Sequence, residues 1–164
     1  ADASAPAELE NALRHIEEQF GPINVLVYNA AKLQIAQPSE LSAADFTDDF
    51  RVNVVGALVS AQLALPSMKE VGGGTILFTG GGLALRPMPQ YASLAASKAA
   101  LRNLTISLAA ELAEHNIHVA TVTIAGFVQP DTFFDPDKIA ETYWSLHQQA
   151  KEEWETEVIY REEG

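Results

Sequence analysis

The chain has 164 residues, 48% of them hydrophobic, which is enough for one buried core and favours a single domain. Its formal charge of -12, from 22 acidic and 10 basic residues, repels phosphate backbones and anionic membranes, so neither nucleic acid nor a membrane is an expected partner. Cysteine is absent, which excludes disulfides, thiolate chemistry and cysteine metal sites, and no apolar run reaches the roughly 18 residues that span a bilayer. The first residues do not read as a signal peptide, so a soluble, cytoplasmic protein is expected.

Helix signals come first: Ser4 as N-cap, Pro6 in the first turn, then Leu9, Leu13, Ile16 and Phe20 at helical spacing, closed by Gly21 and Pro22. Residues 23–28, INVLVY, form a β-branched run of the kind buried on both faces of a parallel sheet. Residues 46–68 are again helix-like, and Gly72, Gly73 and Gly74 make a turn into the strand TILFT at 75–79. Gly80, Gly81 and Gly82 follow, readable either as a ligand cradle at a strand end or as a flexible turn.

Residues 94–114 form a long Ala-rich helix with a stripe of Leu101, Leu104, Leu108 and Leu112. Ala99, Ala100, Ile106, Ala110 and Ala113 widen its apolar surface, which implies burial on two sides. Residues 117–124, IHVATVTI, read as a third buried strand and 157–161, EVIYR, as a fourth. Residues 129–136, with two prolines and no periodicity, read as a mobile excursion on the substrate side before a last helix starting at Asp135 or Pro136. Helices alternating with buried strands predict an α/β domain with a mainly parallel sheet.

The four histidines show no metal-ligand spacing, so no metal is expected. His115 and His118, beside a helix end and a strand start, read as solvent-facing or capping. The acidic residues of 152–163 read as a solvated helix face followed by an edge strand, with Trp144 and Trp154 packing on the body or on a partner chain.

Three stretches in order resemble the short-chain dehydrogenases. GPINVLVYNA at 21–30 is similar to the strand that ends in that family's Asn-Asn-Ala-Gly signature, with Tyr28, Asn29, Ala30 and Ala31 in those places. RVNVVGAL at 51–58 resembles the next helix, with Asn53 at the asparagine of the family's proton relay. Residues 97–128, from SKAAL to IAGFV, resemble the active-site helix, the following strand and its Pro-Gly turn, where Ala125 stands for the proline and Gly126 is kept.

The resemblance implies a Rossmann-like, doubly wound α/β/α fold lacking its first βαβ unit, and with it the Gly-rich pyrophosphate loop that should precede Asp2. It implies an oxidoreductase that moves hydride between NAD or NADP and a carbonyl or alcohol, although this chain alone is expected to bind cofactor negligibly. Asn29, Ala30, Lys98, Gly126 and Val128 take the cofactor-contacting places, and Lys98 and Asn53 the catalytic ones. A homodimer or homotetramer through helices 46–68 and 94–114 is implied as well.

Two departures stand inside the chain. The family's tyrosine four residues before the lysine is Leu94, and the serine that orients the carbonyl is Gly81. Tyr91, seven residues before Lys98, would lie about 10 Å along a continuous helix instead of about 6 Å, so it replaces the tyrosine only if a loop folds it back, with Ser93 as carbonyl donor. Lys98 also reads as an ordinary solvated or ion-paired helix residue, Asn53 as a helix-interior amide, and Asn29 as the closure of its strand end that stitches neighbouring loops. A catalytically inactive binding or oligomerisation protein is the alternative function.

Overall fold

The computed structural model describes residues 1–162, so Glu163, the last acid of the expected acidic face, lies outside the described residues. Four strands form one parallel sheet in sequence order: β1 (Val25–Tyr28), β2 (Gly74–Thr79), β3 (Ile117–Ile124) and β4 (Glu157–Tyr160). Helices cover both faces, as a three-layer α/β/α arrangement requires. The helices are α1 (Pro6–Phe20), α2 (Ala43–Phe50), α3 (Gly56–Glu70), α4 (Ala92–Leu112) and α5 (Pro136–His147). The chain opens on α1, and the described sheet holds no strand on the outer side of β1.

The larger core lies on one face, where Ala57, Ala61, Ala64 and Met68 of α3 and Leu101, Leu108 and Leu112 of α4 meet Tyr28, Ile76, Phe78, Ile117 and Val119. Alanines at i, i+4 and i+7 let the α3 backbone approach the strands closely, which a larger residue on that face would prevent. On the opposite face Leu146 of α5 closes a smaller cluster of Leu77, Ala120 and Val122. Of the three strand runs read as buried, β2 and β3 are buried nearly throughout.

The first run is a correction. In β1, Tyr28 is buried, but Val25 and Val27 are 36% and 51% exposed, because they face the side of the sheet that α5 covers only farther along. A β-branched run reports that a strand suits a sheet interior; it does not report whether a neighbour lies over it. The start of α1 is corrected too. Ala5 is the N-cap and has no capping side chain, while Ser4 bonds the Asp2 carboxylate through both its backbone N–H and its hydroxyl.

The helix expected at 46–68 is two α-helices joined by a π-turn, Arg51–Val55, in which the Gly56 N–H reaches back five residues to the Arg51 carbonyl. Such a turn releases a carbonyl from the helical ladder. Here the Tyr28 hydroxyl, 2.5 Å from it, donates to the Val52 carbonyl. Gly56 is required at this point, because a side chain there would overlap the Tyr28 hydroxyl and the Ala3 carbonyl. A helix period read over 46–68 as one element does not mark a single-residue insertion within it.

At the opposite end of the sheet, His118 is another correction. It is buried, stacks on Trp154 at 4.9 Å between ring centroids and 4° between planes, and bonds the Glu155 carbonyl through Nε2. Burial pushes its pKa down. Trp144 is 59% exposed. The acidic stretch is not wholly solvated either: Glu157 takes both Nε and Nη2 of Arg102 and a hydrogen bond from Thr123, which fastens β4 to α4 and β3.

Candidate active site

All four strands run the same way, so their carboxyl ends share one edge, the place where open α/β sheets bind ligands. Three loops leave β1, β2 and β3 there, carrying Asn29 and Ala30, Gly80 to Gly82, and Gly126 to Val128. Asn29, Ala30, Gly126, Phe127 and Val128 are all exposed, leaving this edge open to a ligand.

Lys98 comes to the same edge from α4. The register of that helix is fixed by Leu101, Leu108 and Leu112 in the core, which turns Ser97 and Lys98 inward. The Lys98 amine donates to the Thr79 carbonyl at 2.5 Å, at the last residue of β2. The residue is only 8% exposed, and it belongs to none of the ion pairs among the described residues. Burial without a counter-charge brings its pKa down to about 8. The reading of Lys98 as a solvated or ion-paired residue is therefore set aside.

Gly81 lies beside the lysine stem: a Cβ there would rest 3.5 Å from Cγ and 3.7 Å from Cδ and Cε. Leu94, half-buried, stands one turn before Lys98 on the same side of α4. Tyr91 is the N-cap residue of α4, where the preceding loop enters the helix, and Ala36 pairs alongside it. None of the described hydrogen bonds joins it to Lys98. Ser93 points away from the open edge: it is buried and donates to Asp49 Oδ2 at 2.5 Å, which corrects its reading as a carbonyl donor.

Asn53 sits in the π-turn, buried to 1% exposure, and its amide grips one residue from both sides. Its Nδ2 donates to the Lys32 carbonyl and its Oδ1 accepts from the Lys32 N–H, both at 2.7 Å. The loop after β1 is therefore stitched by Asn53. The expectation that Asn29 does this is corrected, since the Asn29 side chain takes part in none of the described hydrogen bonds. Asp49 is a further buried polar residue here, and an acid three residues after Phe46 and four before Asn53, on an inward helix face, is a visible anomaly in the sequence. Thr79 ends β2. The hydrogen bond of its hydroxyl to the Tyr143 hydroxyl at 2.7 Å, which ties α5 to the same edge, has no local sequence signal.

The family model for "short chain dehydrogenase" matches residues 1–135. A short-chain type dehydrogenase/reductase of Picea abies is 32% identical over 136 residues, 82% of this chain and 50% of the relative. A chloroplastic NADPH-dependent aldehyde reductase-like protein of Arabidopsis thaliana is 30% identical over 138 residues, 82% of this chain and 51% of the relative. The chain thus spans about half the length of these curated relatives. Among solved structures, a short-chain dehydrogenase from Rhodopseudomonas palustris superposes with a TM-score of 0.86 at 29% identity, covering 99% of this chain and 73% of that one. A metagenomic short-chain oxidoreductase in complex with NADP gives 0.87 at 26% identity, covering 98% and 71%. Sequence and fold agree, and the chain belongs to the short chain dehydrogenase family.

Proposed function

We propose that this chain forms the nicotinamide- and substrate-facing part of an NAD(P)-dependent oxidoreductase that moves hydride between the cofactor and a small carbonyl or alcohol. The observation that carries this reading is Lys98: a buried amine, free of carboxylate partners among the described residues, held by the Thr79 carbonyl at the carboxyl edge of the sheet. A cation so placed fits the hydroxyls of a nicotinamide ribose. The exposed backbone at Asn29, Ala30, Gly126 and Val128 leaves room on either side of it. The NADP complex of the metagenomic relative and the name of the Arabidopsis relative support the cofactor class.

When bound, the nicotinamide gives or takes the hydride. The chain's own residues bind and orient: Lys98 holds the ribose, and Asn53 fixes the Lys32 peptide and so the loop beside it. Tyr91 is the remaining candidate to move the proton, since Leu94 has no proton to give. The loop at 129–136 leaves the same edge and serves the substrate side. The exposed Ala96, Ala99, Ile106 and Ala110 of α4 supply the apolar face for pairing with a second copy.

Leu94 and Gly81 favour a second reading, a relative that binds or assembles without turnover. The two separate in the longest native form of the protein. Turnover over a carbonyl panel that is lost in Lys98→Met supports the enzyme, and cofactor binding without turnover supports the inactive relative. Unchanged turnover in Tyr91→Phe removes Tyr91 from the mechanism.

A further inference from the structure

The surroundings of the Lys98 amine are unusual for a lysine. Its one described partner is a backbone carbonyl, so a neutral amine there donates one N–H to Thr79 and keeps a second N–H and its lone pair free. No side chain stands at Gly81 to cover the stem, and Leu94 presents only carbon one turn earlier. The hydroxyls of α4 closest in sequence are turned elsewhere: Ser93 to Asp49, and Ser97 into the interior, where its oxygen has no partner among the described residues. The other four lysines, Lys32, Lys69, Lys138 and Lys151, are exposed.

The geometry points to Lys98 as a covalent capture site for short aliphatic aldehydes, reached over Gly81 and flanked by Leu94. The Nζ lone pair attacks the carbonyl carbon as the C=O π bond opens, and one N–H proton passes to the oxygen, giving a carbinolamine. Loss of that oxygen as water, with the second N–H proton, leaves an imine. Nothing is oxidised or reduced, and addition of water reverses the sequence. The aldehyde class follows from the apolar neighbour and a net charge of -12 that disfavours oxoacids. Burial helps: with a pKa of about 8, about half the Lys98 amine is neutral at pH 8, against roughly one in three hundred for an ordinary lysine. The capture needs no nicotinamide and does not rest on hydride transfer.

The test uses the 164-residue chain without cofactor, incubated at pH 8 with butanal and sodium cyanoborohydride, which reduces an imine to a stable secondary amine. Digestion and peptide mass mapping then report butylation at each lysine over time. Lys98 is expected to be labelled at least about tenfold faster than the other four, and Lys98→Arg to lose the fast phase. Labelling of Lys98 no faster than the four exposed lysines in the folded wild-type chain overturns the proposal, as does a fast phase that survives Lys98→Arg. The wild-type map decides even where the variant does not fold. Failure here leaves the cofactor reading standing, because that reading is measured by nicotinamide binding to the longest native form.

Discussion

A side-chain carbon placed on Gly81 would meet the stem of Lys98 at 3.5 to 3.7 Å, ordinary van der Waals contact, and the Gly81 φ of −166° is extended backbone open to any residue. The glycines on either side differ. A Cβ on Gly80 would come within 2.7 Å of Thr121 Oγ1, and one on Gly82 within 2.8 Å of the Ala125 Cα. Of three adjacent glycines, two lack the space for a side chain, and Gly81 does not. Gly81→Ala is expected to leave thermal stability unchanged or slightly raised, through loss of backbone freedom in the unfolded chain. Gly80→Ala and Gly82→Ala are expected to lose about 1–3 kcal/mol by overpacking. Urea denaturation of the three variants checks this, and a Gly81→Ala loss as large as its neighbours' would remove the argument that a serine fits at this position.

The buried pair of Asp49 and Ser93 links the carboxyl end of α2 to the first turn of α4. Asp49 is 0% exposed, and its Oδ1 has no described partner, so Ser93 supplies its one described side-chain hydrogen bond. Ser93→Ala is expected to destabilise the chain by about 1–3 kcal/mol, since it leaves a buried acceptor unpaired. Replacing both partners, Asp49→Leu with Ser93→Ala, should restore much of the loss. A double-mutant cycle from urea melts measures the coupling, and additive effects would show that the hydrogen bond is not what holds the pair.

These two groups show where the sequence is legible. Helix and strand order, the three-glycine turn, the Lys98 helix and the full extent of β3 follow from apolar period and turn residues, because those patterns record which side of each element faces the core. What covers that side is not recorded, so Val25 and Val27 read as buried while one face of β1 is open. The π-turn shifts the helix face by one residue and hides how Asn53 is used. Polar partners distant in sequence, such as Asp49 with Ser93 or Arg102 with Glu157, meet only through the fold. The resemblance located Lys98 and Asn53, but not the Thr79 carbonyl that holds one or the Lys32 peptide that the other holds.

For this chain on its own, none of the described α-helix starts offers a seat to a pyrophosphate. Ser42 and Asp135 cap α2 and α5 with their own side chains, and Asp45 and Asp137 place negative charge in the first turns. Glu8 does the same in α1. α4 begins at Tyr91 with no glycine-rich turn immediately before it. A dinucleotide is held largely through such a terminus. Calorimetry is expected to show no saturable NADH or NADPH binding up to about 1 mM ligand, less than about 4 kcal/mol of affinity. Micromolar binding would mean that Lys98 and the exposed edge residues suffice without a phosphate seat.

Glu157 governs part of the acid limb of stability. The guanidinium of Arg102, with a further bond from Thr123, holds its pKa below the ordinary glutamate value of 4.5. A carboxylate with a lowered folded pKa adds stability above its unfolded pKa and loses that stability as pH falls through the folded value. Glu157→Gln is therefore expected to lower the melting temperature at pH 7, with a difference that shrinks as pH falls below the unfolded glutamate pKa of about 4.3. Thermal melts across that range check the convergence, and a pH-independent difference would mean that packing, not charge, fastens β4.

Lys98 acts on the alkaline side with the opposite slope. Its folded pKa of about 8 lies below the ordinary 10.5, so between those values the unfolded chain keeps a proton that the folded chain has released. The unfolded state then binds more protons, and stability rises with pH through this window. The buried tyrosines oppose it at higher pH: burial raises Tyr28 to about 12 and Tyr143 above its ordinary 10.0, so the unfolded chain ionises first and stability falls once pH passes about 10. Urea midpoints are therefore expected to climb between pH 8 and about 9.5 and to turn over above that. Lys98→Met, which keeps the apolar stem and removes the amine, should abolish the climb and be more stable than wild type at pH 7. A Lys98→Met chain that still gains stability over this window would place the responsible proton elsewhere, and would take from Lys98 the neutral amine on which aldehyde capture depends.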